Sequence, residues 1–153
     1  TQHRPIYSKP ASKSVKYAIA DNFLTIWFRF FYKYNSYIES GNFAQIKDIV
    51  IRDYPTISGI MLERYFRQRA KEEGKYTLIG NFWDRKGEHE IDIILVNEQD
   101  KLLRIGEIKR QAKNIEQYVL QEKAEYFLSL YPQLVSYKQE LLTLSMEDIW
   151  LDK

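Results

Sequence analysis

The segment HEIDIILVNEQDKLLRIGEIK, residues 89–109, decides how this chain folds. Two apolar runs, EIDIILV over 90–96 and KLLRIGEIK over 101–109, flank a polar NEQD at 97–100. That is the pattern of a β-hairpin. Three ionisable groups interrupt it: Asp92 inside the first run, then Glu107 and Lys109 at the end of the second. Asp is depleted in strands, and a carboxylate taken out of water is costly unless something compensates it. Either these groups face water, or they share a cation.

Residues two apart in a strand share a face, so Glu90 lies with Asp92 and Glu107 with Lys109. Antiparallel folding about NEQD sets the start of the first strand beside the end of the second. If Glu98 and Gln99 form a two-residue loop, Asn97 pairs with Asp100 and Glu90 falls opposite Glu107. A register shifted by two sets Asp92 opposite Glu107. In both registers the four groups share one face, which continues with Ile94 and Val96 on one strand and with Ile105 and Leu103 on the other. A slip of one residue would send the acids to opposite faces. Carboxylates facing each other across a strand pair repel unless a proton, a lysine or a metal ion relieves them. Mg²⁺ or Mn²⁺ takes hard oxygen ligands of this kind. Such an ion activates water and steadies charge at phosphorus, with Lys109 beside it, so the chemistry suggested is phosphodiester hydrolysis.

Around this hairpin the 153 residues make one globular unit by composition, 44% hydrophobic and 15% aromatic. A net charge of +2 excludes a strong overall basic field, although a local patch remains open. With no cysteine there is no disulfide framework and no thiolate metal site. The N-terminal residues lack a signal-peptide core, and FLTIWFRFFYKY is interrupted by Arg29 and Lys33, so no membrane partner and a cytoplasmic location are expected. The chain opens on Thr1 without Met, which suggests a piece of a longer protein.

Pro5, Pro10, Ser8, Ser12 and Ser14 mark a loop or edge hairpin at the start, and Asp21-Asn22 can cap a helix running to about Ser40. That helix is apolar nearly all round. It is either a core helix or one whose second face docks against another domain. NFAQIKDIVIRDY supplies a second helix and the stretch from Thr56 to Gly74 a third, with Ile57, Ile60, Met61, Tyr65 and Phe66 as its core stripe. Glu63 flanks the stripe beside Arg64, Arg67 and Lys71. Strands are expected over 76–83, 90–96, 101–109 and 136–146, a helix over about 115–130, and a short closing helix in MEDIWL. His89 reads as a strand-edge residue, Trp83 as a core or sheet-edge aromatic, and WDRKG as a hairpin turn. Domain boundaries are expected at 1–20 for a linker, 21–55 for a helical extension and 56–153 for the main domain.

Taken together, LERYF, YTLIGNFW, EIDIILV, RIGEIK, IEQYVLQEKAEYFLSL and YKQELLTLSM resemble the PD-(D/E)XK nuclease superfamily, over about residues 56–146. The resemblance implies a restriction-endonuclease-like α/β fold, a central mixed sheet of about four strands flanked by helices. Residue by residue, it implies Glu63 as the first-helix acid, Asp92 and Glu107 as metal ligands, Ile108 as a carbonyl ligand and Lys109 as the catalytic lysine. Glu90 joins Glu63 as a further candidate at the metal. Gln117 or Gln121 sits where some members carry a helix glutamine, and Ile91 stands in place of the proline that gives the superfamily its name. More narrowly, YAIADNFLTIWFRFFYKY, LERYF, NFWDRKGEHEIDIILVNE and GEIK resemble the C-terminal domain of the archaeal-type DEXX-box ATPases, with YSKPASKSVKYAIAD resembling the exit from a winged helix. No GxxxxGK[ST] loop is present, so ATP is expected only in a preceding part.

The resemblance implies Mg²⁺ or Mn²⁺ as cofactor, with DNA and the ATPase and winged-helix parts of a parent chain as partners. A homodimer stays open. Three readings follow: a metal-dependent nuclease, a non-catalytic module that binds nucleic acid or docks its own ATPase, and a structural cluster in which Lys109 neutralises Asp92 and Glu107.

Overall fold

The structure, a computed structural model, describes residues 1–9 and 13–149. The expectations for Pro10, Ser12, Trp150 and Leu151 lie outside the described residues. β1 (Gln2–His3) pairs antiparallel with β2 (Lys16–Tyr17). Asp21 then caps α1 (Asn22–Ile26), its side chain accepting the Leu24 N–H, and the helix continues as a π-helical stretch over Trp27–Tyr32. After α2 (Asn35–Glu39) comes α3 (Phe43–Glu72), then β3 (Leu78–Trp83), β4 (Glu90–Asn97), β5 (Leu102–Ile108), α4 (Gln117–Leu130) and β6 (Lys138–Leu144).

The four later strands form one sheet in the order β3-β4-β5-β6. The first three are an antiparallel meander, while β6 runs parallel to β5. A parallel neighbour requires a crossover, which α4 supplies. Leu120, Ala124 and Phe127 of α4 pack with Ile91, Ile94, Val96, Leu103 and Ile105. Leu62, Phe66 and Ala70, each four apart on α3, pack with Ile93, Leu95 and Ile108. The result is the expected α/β arrangement, a four-stranded mixed sheet with helices on both faces and a helical N-terminal region.

Four expectations need correction. Pro55 does not end a helix: α3 runs unbroken for 30 residues through it. Proline removes one N–H and crowds the preceding turn, but Phe30 packs against Ile49 before it and Ile57 after it, holding both halves on one axis. The Ser58 hydroxyl also donates to the Tyr54 carbonyl at 2.7 Å. Second, the core stripe of α3 is carried by Leu62 and Ala70 beside Ile57 and Phe66, whereas Tyr65 is exposed.

Third, the aromatic helix is no core helix. Over residues 22–32 only Phe30 is buried, and Phe23, Trp27 and Phe31 form an exposed stack with centroids 6.0 and 5.5 Å apart. Fourth, the β4–β5 loop is longer than two residues. Asn97 pairs with Leu102, the Asn97 and Asp100 side chains close the turn, and Lys101 adopts a left-handed φ of 50°.

The N-terminal segment, expected as a linker, packs onto the sheet. The Ile6 N–H donates to the Asn81 carbonyl at 2.8 Å, and the Ile6 side chain joins the core against Gly80. Among the described residues no helix is long and apolar enough to cross a membrane.

Gly106, within β5, has no room for a side chain. A Cβ there would stand 2.7 Å from Ile93 Cγ2 and 3.1 Å from Leu142 Cβ. Gly59, inside α3, has open space around it. Gly106→Ala is therefore expected to lower unfolding free energy by about 1–3 kcal/mol through overpacking. Gly59→Ala should raise it by about 0.5–1 kcal/mol through helix propensity. Urea melts of the two variants, which differ in sign, check this.

Candidate functional site

The β4–β5 register is the one that sets Asp92 toward Glu107: Ile93 pairs with Gly106, and each later pair keeps the same offset through Asn97 and Leu102. The pairing with β3 is less regular. Gly80 pairs with Ile94 but Phe82 pairs with Ile91, so Asp92 and Ile93 together stand opposite Asn81. This is a β-bulge, one extra residue in β4. It breaks the alternation of faces: Ile91 packs on the α4 side and Ile93 on the α3 side, although residues two apart in an unbroken strand share a face.

The bulge changes the expected grouping. The Asp92 carboxylate accepts the Ile108 N–H at 2.8 Å through Oδ2, and its carbonyl accepts from Arg67 Nη1 at 3.1 Å. Ile108, expected to offer its carbonyl, thus contributes its N–H to Asp92. Arg67 also holds the Glu63 carboxylate at 3.3 Å, four residues back on α3. Glu90 stands apart. It is exposed and ion-paired with Lys16 of β2, although its charge still reaches Glu63.

Glu107 is buried at 7% exposure, and both of its oxygens are held by ammonium groups. Lys109 Nζ lies 2.7 Å from Oε1 and Lys123 Nζ 2.7 Å from Oε2. Lys123 carries no sequence signal that sets it apart, and Arg67 reads from sequence only as a neighbour of Glu63. Lys123 lies beside the buried Leu120/Ala124/Phe127 stripe of α4, whose edge meets the end of β5. Gln117 and Gln121, the residues considered there, are exposed, and Gln121 donates to Glu125.

Electrostatics divide the acids into two kinds. Burial raises the Glu63 and Asp92 carboxyls above their ordinary values, with Asp92 adding to the shift at Glu63 and Glu107 to that at Asp92. Burial also works against ionised Glu107, but the hydrogen bonds from Lys109 and Lys123 outweigh it and hold that carboxyl low. Lys109 is raised in turn, its partial burial overcome by Glu107.

The donor set is all carboxylate, the chemistry a hard dication takes. Glu63 and Asp92, raised chiefly by burial, are the carboxyls with oxygen to offer one, whereas both oxygens of Glu107 are already held by lysines. Among the described residues, the group whose ligand atoms all lie within 4.8 Å of one another is Asp84, Glu88 and His89. His89 stacks on Tyr126 with centroids 3.8 Å apart, its Nδ1 lies 3.0 Å from Asp84 Oδ2, and Asp84 closes the hairpin turn over 84–89. Trp83 is buried, with its Nε1–H donating to the Ser14 hydroxyl at 2.9 Å.

These shifts give opposite signs for stability. Glu107, held low, stabilises the fold above the ordinary carboxylate value near pH 4.3, and that contribution drains as pH falls through its lower folded value. Glu63 and Asp92, held high, cost stability at neutral pH, and the cost fades as pH falls. Glu107→Gln is expected to lower unfolding free energy at pH 7 by about 3 kcal/mol, because it leaves two ammonium groups without their partner. Glu63→Gln should raise it by up to about 1 kcal/mol. Denaturant melts at pH 7 and near pH 4 check both, and the gap between the variants should narrow at the lower pH.

Residues 27–125 match the model of a family, DUF234, described as archaeal and bacterial proteins of unknown function. An uncharacterized protein of Methanocaldococcus jannaschii is 35% identical over 112 residues, covering 69% of this chain. The chain spans about a quarter of that relative's length, 25%. No solved structure matches. The matched region runs from the aromatic helix through the carboxylate–lysine cluster to Lys123, and on that ground the chain belongs to the DUF234 family of archaeal and bacterial proteins.

Proposed function

We propose that this chain is a PD-(D/E)XK-like nuclease domain that hydrolyses DNA phosphodiester bonds with a divalent metal, Mg²⁺ or Mn²⁺, as the C-terminal part of a DEXX-box ATPase. The observation that carries the reading is the convergence of Asp92, Glu107 and Lys109 at one end of β4 and β5, with Glu63 of α3 close enough for its charge to be felt. The association of the family with DEXX-box ATPases supports the parent-chain part.

Asp92 and Glu107 are the ligands in this reading, with Glu63 alongside and the Ile108 carbonyl as a further donor. The bound ion would supply a water of lowered pKa and charge stabilisation at phosphorus. Arg67 fixes the β4 backbone at Asp92 and orients Glu63. Lys109, the more exposed of the two lysines on Glu107, has further N–H groups with which it would hold the attacking water or a phosphate oxygen. Ile108, Ile93 and Phe66, beside these residues in sequence, belong to the buried cluster between α3 and the sheet.

Incubation of the chain with duplex, branched and single-stranded DNA across Mg²⁺ and Mn²⁺ concentrations tests the proposal. Metal-dependent cleavage is expected, reduced about 100-fold or more by Asp92→Ala and by Lys109→Ala. Intact DNA under all conditions would overturn it.

A second reading, a non-catalytic module that docks its ATPase part, is favoured by the surface left by the aromatic helix. Beside the Phe23–Trp27–Phe31 stack lies an almost wholly apolar groove of about 510 Å³, lined by Ile26, Phe31, Tyr54, Met61, Tyr65 and Met146 among others. Under this reading, Trp27→Ala with Phe31→Ala weakens association with the ATPase part about tenfold or more, while Asp92→Ala leaves it unchanged. A pull-down with the full-length parent chain's N-terminal part separates the two.

A further inference from the structure

Two lysines hold one carboxylate, and they are not equivalent. Lys109 follows Glu107 on β5, and its side chain is 42% exposed. Lys123 comes from α4, and its side chain is 18% exposed. The position of α4 is set by Leu120, Ala124 and Phe127, all buried in the sheet's core. Lys123 is thus delivered to Glu107 by the packing of a whole helix, while Lys109 can leave Glu107 by rotating its own stem into solvent.

With Glu107 read as a metal ligand, its two oxygens are what it offers a divalent cation, and Lys123 stands on one of them, Oε2. A carboxylate at 7% exposure with an ammonium 2.7 Å from each oxygen has its charge matched and its lone pairs directed toward lysine. Two cations cannot share Oε2 at contact distance without strong repulsion. We infer that Lys123 is an internal ammonium that occupies Glu107 Oε2 in place of a divalent cation and sets how tightly the site takes one. Lys123 is a positioning residue on this account: it holds Glu107 in place when the site is empty of metal and weakens metal affinity by competing for the same oxygen. Lys109, being more exposed, yields its oxygen more readily. The inference rests on the reading of Asp92 and Glu107 as metal ligands.

The test is Mn²⁺ binding to the intact 153-residue chain, followed by electron paramagnetic resonance of the free ion, counting only sites that are lost on Asp92→Asn. Lys123→Met is expected to tighten Mn²⁺ binding about 5- to 150-fold, the usual range for a coupling between two sites. Lys123→Arg, which keeps a cation on Oε2, should bind as the wild type does, and Lys109→Met should tighten less than Lys123→Met. Circular dichroism checks folding, and if Lys123→Met fails to fold, Lys123→Gln carries the same expectation. Three results would overturn the inference: Lys123→Met or Lys123→Gln binding no tighter than wild type, Lys123→Arg tightening as much, or no chain binding Mn²⁺ at an Asp92-dependent site. Tighter Mn²⁺ binding without DNA cleavage overturns the nuclease reading and leaves the role of Lys123 standing. Cleavage with unchanged affinity does the reverse.

Discussion

The hydrogen bond from the Ile108 N–H to Asp92 Oδ2 is the constraint on which the charged end of the sheet depends. The paired ladder of β4 and β5 stops at Ile93 and Gly106, just before the acids. Beyond that point a side chain takes over from the backbone, and Asp92 does what the next rung would have done. The bulge opposite Asn81 makes this possible, because the extra residue re-aims Asp92 while keeping Ile91 and Ile93 buried on opposite faces. Gly106 matters for the same reason. Without a Cβ, β5 lies flush against Ile93 and Leu142, which brings Glu107 and Asp92 within electrostatic reach.

The charges gathered there are arranged in two layers. On the α3 side, Arg67 ties Glu63 to the backbone of Asp92, and burial holds both carboxyls above their ordinary values. Toward α4, Glu107 is fully matched by Lys109 and Lys123. One half therefore costs stability at neutral pH and the other contributes to it. A fold selected only for stability would more readily fill such a space with apolar groups.

Much of this was legible in the chain itself. The hairpin, the order of the strands and the clustering of Asp92, Glu107 and Lys109 at one end of it follow from alternation, turn residues and spacing, while Glu63 came from the family resemblance. Two registers gather the acids on one face and a slip of one separates them, and with both faces of β4 apolar the alternation does not choose among the three. The longer loop, closed by Asn97 and Asp100 with Lys101 left-handed, made the choice. Pro55 misled because its local preference is to end a helix, while Phe30, distant in sequence, packs across it. Lys123 has no local signature, because a single lysine on an amphipathic helix looks like any solvated charge until the helix is docked.

The sequence by itself determined the order of the strands and that Asp92 and Glu107 fall on neighbouring strands of one hairpin, since apolar period and turn chemistry are local properties. The tertiary structure decided what those acids touch. Whether Glu90 joins Asp92 or pairs with Lys16, whether Glu107 meets one lysine or two, and whether the aromatic helix is buried or left exposed all depend on where α3, α4 and the N-terminal segment settle on the sheet. Those placements come from packing between residues far apart along the chain, which no local pattern records.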